Sequence, residues 1–419
     1  MNCINNSFKN KPFACHTKKP WRALRFSIIL LISTFSFAQN GQPITLQKAI
    51  EMAKANNIDL KIADKEIEKQ TALKKTAFQV DPLQVQYQGG QFNSVAYDHN
   101  VSIQQYFPIG KITKANRQLQ EELAKLAEKR KALTEYEIEK AVTLAYYQYL
   151  YGVSVQKLNN ELNDIYIKFL KNAELRFQTG ESSNIEVISA KAKVKEIETQ
   201  KAQLEYDLLI YQKQLHYFIQ TEENVVPDVA TPLQYANLTK TNVPQIQGLV
   251  DEYYSQQISV YQKEATTFRA MRTPKLGLGY FAQTIDTKSY FQGFTAGLQI
   301  PLFGGANSAK AKSSEISISQ SQLELDKSKL IIKLQKEQLQ NEFEKQQKAV
   351  VYYQNEGLNY AEQINTSAQK SYANGDMSYW SYISFLNQAI DIKKQNAEAI
   401  NAFNQSAIQL QFPSFNTVK

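Results

Sequence analysis

Two stretches of the chain, each longer than 100 residues, contain no proline. They run between Pro108 and Pro227 and between Pro301 and Pro413. Proline breaks the interior of a helix, so its absence over such lengths permits very long helices. A helix over residues 111–176 would be about 100 Å long at 1.5 Å per residue. Helices of that length are not needed in a compact globular protein. From these two stretches, the chain is predicted to be mainly helical.

Apolar residues in both stretches recur at the seven-residue spacing of helices that pack side by side. These residues are Leu119, Leu126, Leu133, Ile316, Leu323 and Leu330. The positions between them are rich in Gln, Glu and Lys, which favour helix. The spacing predicts coiled-coil-like packing along each stretch.

Each stretch contains one turn signal, FQTGESS at residues 177–183 and YANGDMS at residues 372–378. Glycine ends a helix easily because it adopts left-handed backbone angles, and serine can cap the helix that follows. Each stretch is therefore predicted to be a helical hairpin that turns at Gly180 or Gly375. Glu181 and Asp376, which follow these glycines, are interpreted first as acids that stabilise the start of the returning helix.

Short segments before each hairpin alternate apolar residues with polar or small ones. Leu83, Val85 and Tyr87 alternate with glutamines. The same period of two recurs near residues 101–104, 276–281 and 293–300. Segments of about ten residues with one apolar side are typical of strands that cross a membrane. The alternative is a soluble sheet with one buried face.

The whole pattern occurs twice. Gly375 follows Gly180 by 195 residues, and Pro301 follows Pro108 by 193 residues. The sequence therefore predicts one supersecondary unit used twice. The predicted parts are a first repeat at 39–226 (strands about 82–107, hairpin about 111–220), a linker at 227–244, and a second repeat at 245–419 (strands about 274–303, hairpin about 305–412).

The first 38 residues have the features of an export signal. Six Lys and Arg residues precede an apolar run at 26–38, and no acid occurs before Ala38. The run is too short to span a bilayer but fits a signal peptide, with cleavage between Ala38 and Gln39. Losing six cations takes the formal net charge from +8 to +2, which removes the main reason to expect a nucleic acid partner.

Few side chains suited to chemistry remain in the mature chain. Both cysteines and His16 lie in the signal, and the other two histidines, His99 and His216, are far apart in sequence. No nucleophile–base pair or carboxylate pair stands out. We therefore expect no enzyme activity, no cofactor and no metal centre.

Four strands place a geometric demand on assembly. They cannot close a barrel by themselves. An open sheet edge cannot face lipid, because its backbone groups would lack hydrogen-bond partners. If the strands lie in a membrane, several copies of the chain must complete one barrel.

With this organisation, the chain resembles the TolC-type outer membrane efflux proteins over about residues 44–412. The resemblance is carried by ITLQKAIEMAKANN (44–57), LRFQTGESSNIEVISAKAKV (175–194), GFTAGLQIPLFGGANSAKAK (293–312) and SYANGDMSYWSYISFLNQAI (371–390). It implies a homotrimer in which four strands from each chain form a 12-stranded barrel in outer membrane lipid. The helices would form a periplasmic tunnel. The implied partners are a periplasmic adaptor (a membrane fusion protein) and an inner-membrane pump of the resistance–nodulation–division class.

The resemblance also assigns candidate sites. Adaptor contact and the pore entrance are expected at the hairpin tips, at Phe177, Gly180, Glu181, Glu186, Tyr372, Gly375, Asp376, Ser381 and Ser384. The strand-to-helix junctions are expected at Pro108, Gly110, Pro301, Gly304 and Gly305. Some members of the family carry aspartates one to two turns beyond the second tip glycine. Serines stand there in this chain, which puts a cation-selecting acidic ring in question.

The segments LRFQTGES and IPLFGGA look most like the branch that serves heavy-metal cation pumps. The implied function is a passive exit duct for such cations in a tripartite efflux system. A multidrug or type I secretion duct of the same fold is the first alternative. A periplasmic coiled-coil adaptor or structural protein is the second, and it is disfavoured because adaptors usually carry one helical hairpin.

Overall fold

The computed structural model describes residues 41–235, 245–302 and 304–414. The expected signal peptide, with its cleavage site at Ala38 and Gln39, lies outside the described residues, as does the second half of the predicted linker, residues 236–244. Among the described residues, no helix combines the length and the apolar character needed to cross a membrane.

Eight α-helices and six strands are described, in a mainly helical chain. The helices are α1 (Leu46–Asn56), α2 (Ile58–Leu73), α3 (Lys111–Gln178), α4 (Asn184–Ile219), α5 (Ile246–Ala270), α6 (Gly305–Tyr352), α7 (Leu358–Ala373) and α8 (Tyr379–Gln411). The strands are β1 (Gln42–Ile44), β2 (Gln84–Gly90), β3 (Asp98–Pro108), β4 (Val225–Pro227), β5 (Lys275–Ile285) and β6 (Lys288–Gln299). Both predicted hairpins and all four predicted strands are therefore confirmed.

The two strand pairs form one antiparallel sheet in the order β2-β3-β5-β6. Strand β3 pairs with β5, so the sheet joins the two halves of the chain. Within this chain β2 and β6 are the edges. A second sheet, the parallel pair β1 and β4, was not predicted because its strands are only three residues long.

The second hairpin is less regular than its sequence predicts. One π-helical turn, Tyr353–Gly357, separates α6 from α7. Gly357 is buried there, and a Cβ atom at this position would lie 3.1 Å from the Tyr353 ring. The predicted long helix up to the tip is therefore confirmed, with one π-helical turn inside it, where a Cβ atom at Gly357 would also lie 3.5 Å from Ile392 of α8.

The predicted apolar stripe on the second hairpin is not an internal packing seam. Ile316, Leu323 and Leu330 are 52%, 68% and 57% exposed. Helix α6 packs against α5, and the buried residues of α6, among them Ala311 and Leu325, lie on a different face from the stripe. The stripe is therefore a surface without a partner within the described chain.

Two hydrophobic clusters stabilise the helices. One lies around Tyr146, which is fully buried and donates a hydrogen bond of 3.0 Å from its hydroxyl to the Ile44 carbonyl. The other lies near the hairpin tips and is built around Tyr166 and Phe169 of α3. The second cluster positions the candidate site.

Candidate functional site

The four-stranded sheet has one apolar and one polar face. The register places Val85, Ile103, Tyr280 and Phe294 side by side across the four strands. The two rows that flank it lie on the other face of the sheet. One row consists of Gln86, Ser102, Phe281 and Gly293, and the other consists of Gln84, Gln104, Gly279 and Thr295. Val85 is 67% exposed and Phe294 is 87% exposed. The alternation read from the sequence is thus confirmed, and the apolar face is uncovered in the single chain.

Asp98 links the two strand hairpins at the end of the sheet away from the helices. Its carboxylate is fully buried. It accepts hydrogen bonds from the Asn93 backbone N–H at 3.1 Å, from Ser94 Oγ at 3.0 Å and from the Asp286 N–H at 3.0 Å. Because Asp286 lies in the β5–β6 turn, this carboxylate ties the loops of both halves together. Its role was not predicted, since only the fold brings these loops into contact.

The predicted junction residues lie where the strands meet the helices. Pro108 ends β3 opposite Lys275, and Gly110 precedes α3 with a φ of +33°. Gly304 precedes α6, and a Cβ atom there would lie 3.0 Å from Arg272 Nε. Lys275 and Asp81 form an ion pair of 2.7 Å beside this junction. Pro301 and Gly305 complete the predicted set at the end of β6 and the start of α6.

Both hairpin tips close with the same backbone hydrogen bonds. Gly180 has a φ of 77° and Gly375 a φ of 79°, as the sequence predicted. The N–H of the following residue donates to a carbonyl five residues back, from Glu181 to Arg176 at 2.8 Å and from Asp376 to Ser371 at 2.9 Å. This pattern is a Schellman motif, which requires left-handed backbone at the glycine.

The acids after the tip glycines do not cap the returning helices. Helix α4 begins at Asn184 and α8 at Tyr379, so Glu181 and Asp376 lie outside their first turns. Glu181 instead approaches Arg176 at 3.8 Å. The capping interpretation is therefore wrong, because the turns hold more residues between glycine and helix than it assumed.

The serine caps differ between the tips. Ser378 Oγ accepts a hydrogen bond from the Ser381 N–H at 3.2 Å. Ser183 occupies the corresponding position but makes no capping hydrogen bond with its side chain. The predicted cap is thus confirmed at the second tip and wrong at the first.

Aromatic side chains join the two hairpins near the tips. The Phe169 ring of α3 lies 5.2 Å from the Tyr379 ring and 5.6 Å from the Tyr382 ring of α8. Tyr382 stacks on Tyr372 at 4.7 Å, and the Arg176 guanidinium lies 5.1 Å from the centre of the Tyr372 ring. Burial raises the pKa of the Tyr372, Tyr379 and Tyr382 hydroxyls.

A polar cleft of about 750 Å³ opens between the hairpins beside these rings. Of the predicted tip residues, it brings together Glu181, Tyr372 and Gly375. Phe177 and Ser384 do not line it, and Phe177 is 45% exposed. The charged and amide side chains that line the cleft but were not predicted are Lys168, Asn172, Arg176, Asn365, Gln369 and Asn374. Arg176 could have been found as a cation in the last helical turn before a tip glycine.

Glu186 stands apart from the other tip acids. It lies in the first turn of α4, where one of its carboxylate oxygens is buried without a hydrogen-bond partner among the described residues. The Tyr379 hydroxyl donates to the Glu186 backbone carbonyl at 3.4 Å. In the described part of the chain, no group of three or more His, Cys, Asp or Glu side chains could hold a metal ion.

Comparisons with known proteins bear on the fold. No protein-family model and no curated protein sequence matches the chain. Among solved structures, the outer-membrane channel OprN has a TM-score of 0.67 at 12% identity, covering 88% of this chain and 89% of that chain. VceC of Vibrio cholerae has a TM-score of 0.65 at 14% identity, covering 88% and 97%. CusC has a TM-score of 0.67 at 15% identity, covering 90% and 95%. The chain therefore has the fold of these outer membrane channels.

Proposed function

We propose that this chain is one subunit of an outer membrane exit duct in a tripartite efflux system. The observation that carries the proposal is the four-stranded sheet, with an exposed apolar face, a polar face and two edges unpaired within the chain. An apolar face suits lipid and a polar face suits a water-filled lumen. The fold that the chain shares with outer membrane channels supports the same function.

The duct would be a homotrimer. The unpaired edges β2 and β6 can pair between copies, and three copies would close a 12-stranded barrel with no edge facing lipid. The exposed stripe of Ile316, Leu323 and Leu330 on α6 supports contact with a neighbouring copy, since so regular an apolar surface is costly in water. The helices would extend into the periplasm as a tunnel.

The hairpin tips would meet a periplasmic adaptor, and an inner-membrane pump of the resistance–nodulation–division class would supply the cargo. We infer heavy-metal cations as the cargo from the resemblance of residues 175–194 and 293–312 to that branch of the family. A wide duct needs no ligands for its cargo, because strong binding along the way would slow release.

Assembly and cargo are tested separately. The protein purified from membranes in mild detergent should have the mass of a trimer by mass photometry, whereas a stable monomer with intact strands would contradict the shared barrel. A deletion strain, with the complemented strain as control, should lose tolerance to zinc, cobalt, copper or silver salts more than to hydrophobic drugs. Increased drug sensitivity with unchanged metal tolerance would indicate that the cargo is drugs, and the proposed exit duct would still stand.

A further inference from the structure

The end of the sheet that joins the helices is strongly basic. Four segments meet there, because Pro108, Lys275 and Gln299 are neighbours in the strand register and Asp81 pairs with Lys275. The segments are residues 74–83, 109–117, 265–275 and 300–315. Together they contain ten Lys and Arg residues but only two acids, Asp81 and Glu315.

Ion pairs account for four of these ten cations. Lys275 pairs with Asp81 at 2.7 Å, Arg117 pairs with Glu121 at 3.1 Å, and Glu315 pairs with both Arg269 and Lys312. The other six are exposed, and none has an acid within 4 Å among the described residues. These six form what we call the basic collar: Lys74, Lys75, Lys111, Lys114, Arg272 and Lys310.

Two helix ends add to the positive potential of the collar. Helices α3 and α6 both begin here, and neither has an acid in its first turn or a side-chain cap. The first turn of a helix carries partial positive charge and normally favours acids. Lys111 and Lys114 therefore lie at the start of α3, where a cation destabilises the helix. An anion bound from outside the chain would offset the repulsion between these lysines and the helix end.

The opposite end of the sheet is not basic. Residues 89–99 and 284–292 contain one lysine, Lys288, and two acids, Asp98 and Asp286. Of the two ends of the sheet, the cations are thus concentrated at the one that joins the helices.

Exposed apolar side chains are interleaved with the collar. Phe78 is 58% exposed, Leu83 is 57% exposed and Leu302 is 80% exposed. Side chains that combine apolar stems or rings with cations suit the boundary between lipid headgroups and acyl chains. An acidic soluble partner would explain the cations but not the exposed apolar residues that lead directly into the apolar face of the sheet.

We propose that the basic collar binds the phosphate headgroups of anionic phospholipids at the membrane surface on the helix side of the sheet. The inference rests on the proposed function, because it requires the sheet to lie in a membrane. Each Lys or Arg held near an anionic surface contributes about fivefold in affinity at low salt, and salt weakens the effect. The collar would fix the depth of the sheet in the bilayer.

Native mass spectrometry of the full-length mature protein in detergent tests this directly, by titration with phosphatidylglycerol and with phosphatidylcholine. The wild type should prefer phosphatidylglycerol. The variant with Lys111→Gln, Lys114→Gln and Arg272→Gln should bind it about tenfold to a hundredfold more weakly. The matched control replaces three exposed lysines of α6 outside the collar, Lys327→Gln, Lys333→Gln and Lys336→Gln, and should keep the preference.

Three outcomes would overturn the proposal. Equal binding of both lipids by the wild type would contradict a preference for anionic headgroups. An equal loss of phosphatidylglycerol binding in the control variant would show that binding depends on the overall charge of the protein and not on the collar. Displacement of the lipid by soluble glycerol phosphate would indicate a site for free phosphate. Insertion into phosphatidylcholine vesicles separates the two hypotheses: insertion without lipid preference overturns the collar alone, whereas failure to insert into any vesicle overturns the exit duct as well.

Discussion

The first hairpin turns at Gly180 and the second at Gly375, and these glycines have nearly equal φ angles of 77° and 79°. The side chains that follow are different. Position for position, Glu186 in the first hairpin corresponds to Ser381 in the second, where Ser381 Oγ lies 2.9 Å from Ser378 Oγ. Glu186 instead keeps one carboxylate oxygen without a hydrogen-bond partner in the described structure.

This difference shows that both repeats need the same glycine turn, whereas the residues that stabilise the start of the returning helix can differ. The left-handed angle of the turn is strained for any residue with a Cβ atom, so both tips need glycine. The start of the returning helix can be stabilised by a serine, by an acid or by water, so the two tips need not agree. At the first tip, Ser182 Oγ and one Glu186 oxygen are buried without a hydrogen-bond partner among the described residues.

The largest effect is expected from Phe169→Ala, which removes the ring that holds both tips together. Phe169 is 4% exposed, and truncating a buried Phe costs about 3–5 kcal/mol. Hydrogen exchange should accelerate at both tips, because the ring contacts Tyr379 and Tyr382 of the other hairpin. Phe385→Ala, at a position 42% exposed on α8, is the control. Faster exchange in the first hairpin alone would mean that the tips are stabilised independently.

The next largest effect is expected from Gly375→Pro and Gly180→Pro. Proline requires a φ near −65° and has no N–H, so each variant loses both the turn angle and the hydrogen bond from the glycine N–H. We expect a local cost of about 3 kcal/mol or more, an unchanged trimer mass and loss of efflux-dependent resistance in both variants.

The milder Gly375→Ala keeps the N–H and should cost only about 1–2 kcal/mol, which makes it the graded control for the proline variants. Resistance that survives in a proline variant whose tip is shown to be distorted would place adaptor docking elsewhere. Loss of resistance in only one of the two proline variants would show that the two tips differ in function.

A smaller effect tests the caps. Ser378→Ala removes an observed cap and should cost about 1 kcal/mol, with faster hydrogen exchange in the first turn of α8. Ser183→Ala removes no observed cap bond and should leave the first turn of α4 nearly unchanged. Equal effects of the two substitutions would contradict the asymmetry between the tips.

The smallest effect is expected from Arg176→Gln. The guanidinium of Arg176 contacts the Tyr372 ring and approaches Glu181, at a position open to solvent. Such a cation–π contact contributes about 0.5–1 kcal/mol, so local opening of the last turn of α7 should increase about two- to fivefold. Lys168→Gln, which changes another cation of the same cleft, should have no such effect. A similar increase in both variants would point to the charge of the cleft rather than to the ring contact.

Several features could be read directly from residues in order. The absence of proline predicted the long helices α3 and α6, and the glycines at 180 and 375 predicted the tips. The alternation of Val85 and Tyr87 with glutamines predicted β2 and its apolar face. These signals are local, because each depends on backbone propensity or on a short periodicity.

Other features depended on which surfaces meet. The seven-residue stripe with Leu323 has the spacing of a packing seam, but its sequence could not say whether the partner lies within the chain or outside it. The π turn at Tyr353–Gly357 has no local signal, and neither does the contact of Phe169 with Tyr379 across 210 residues of sequence. The role of Asp98 and the contact of Arg176 with the Tyr372 ring likewise became visible only when distant loops and helices were placed together.

The sequence by itself therefore determined the elements of this protein and their duplication, because helix breakers, glycine turns and alternating strands act through neighbouring residues. Tertiary structure alone decided which faces are covered, which caps form and which charges remain unpaired. Those outcomes depend on long-range packing, which fixes whether Ser183 reaches a backbone N–H, whether Leu323 is buried, and whether the lysines at the base of the sheet find an acid. The same amino acids in the same local order would allow either result.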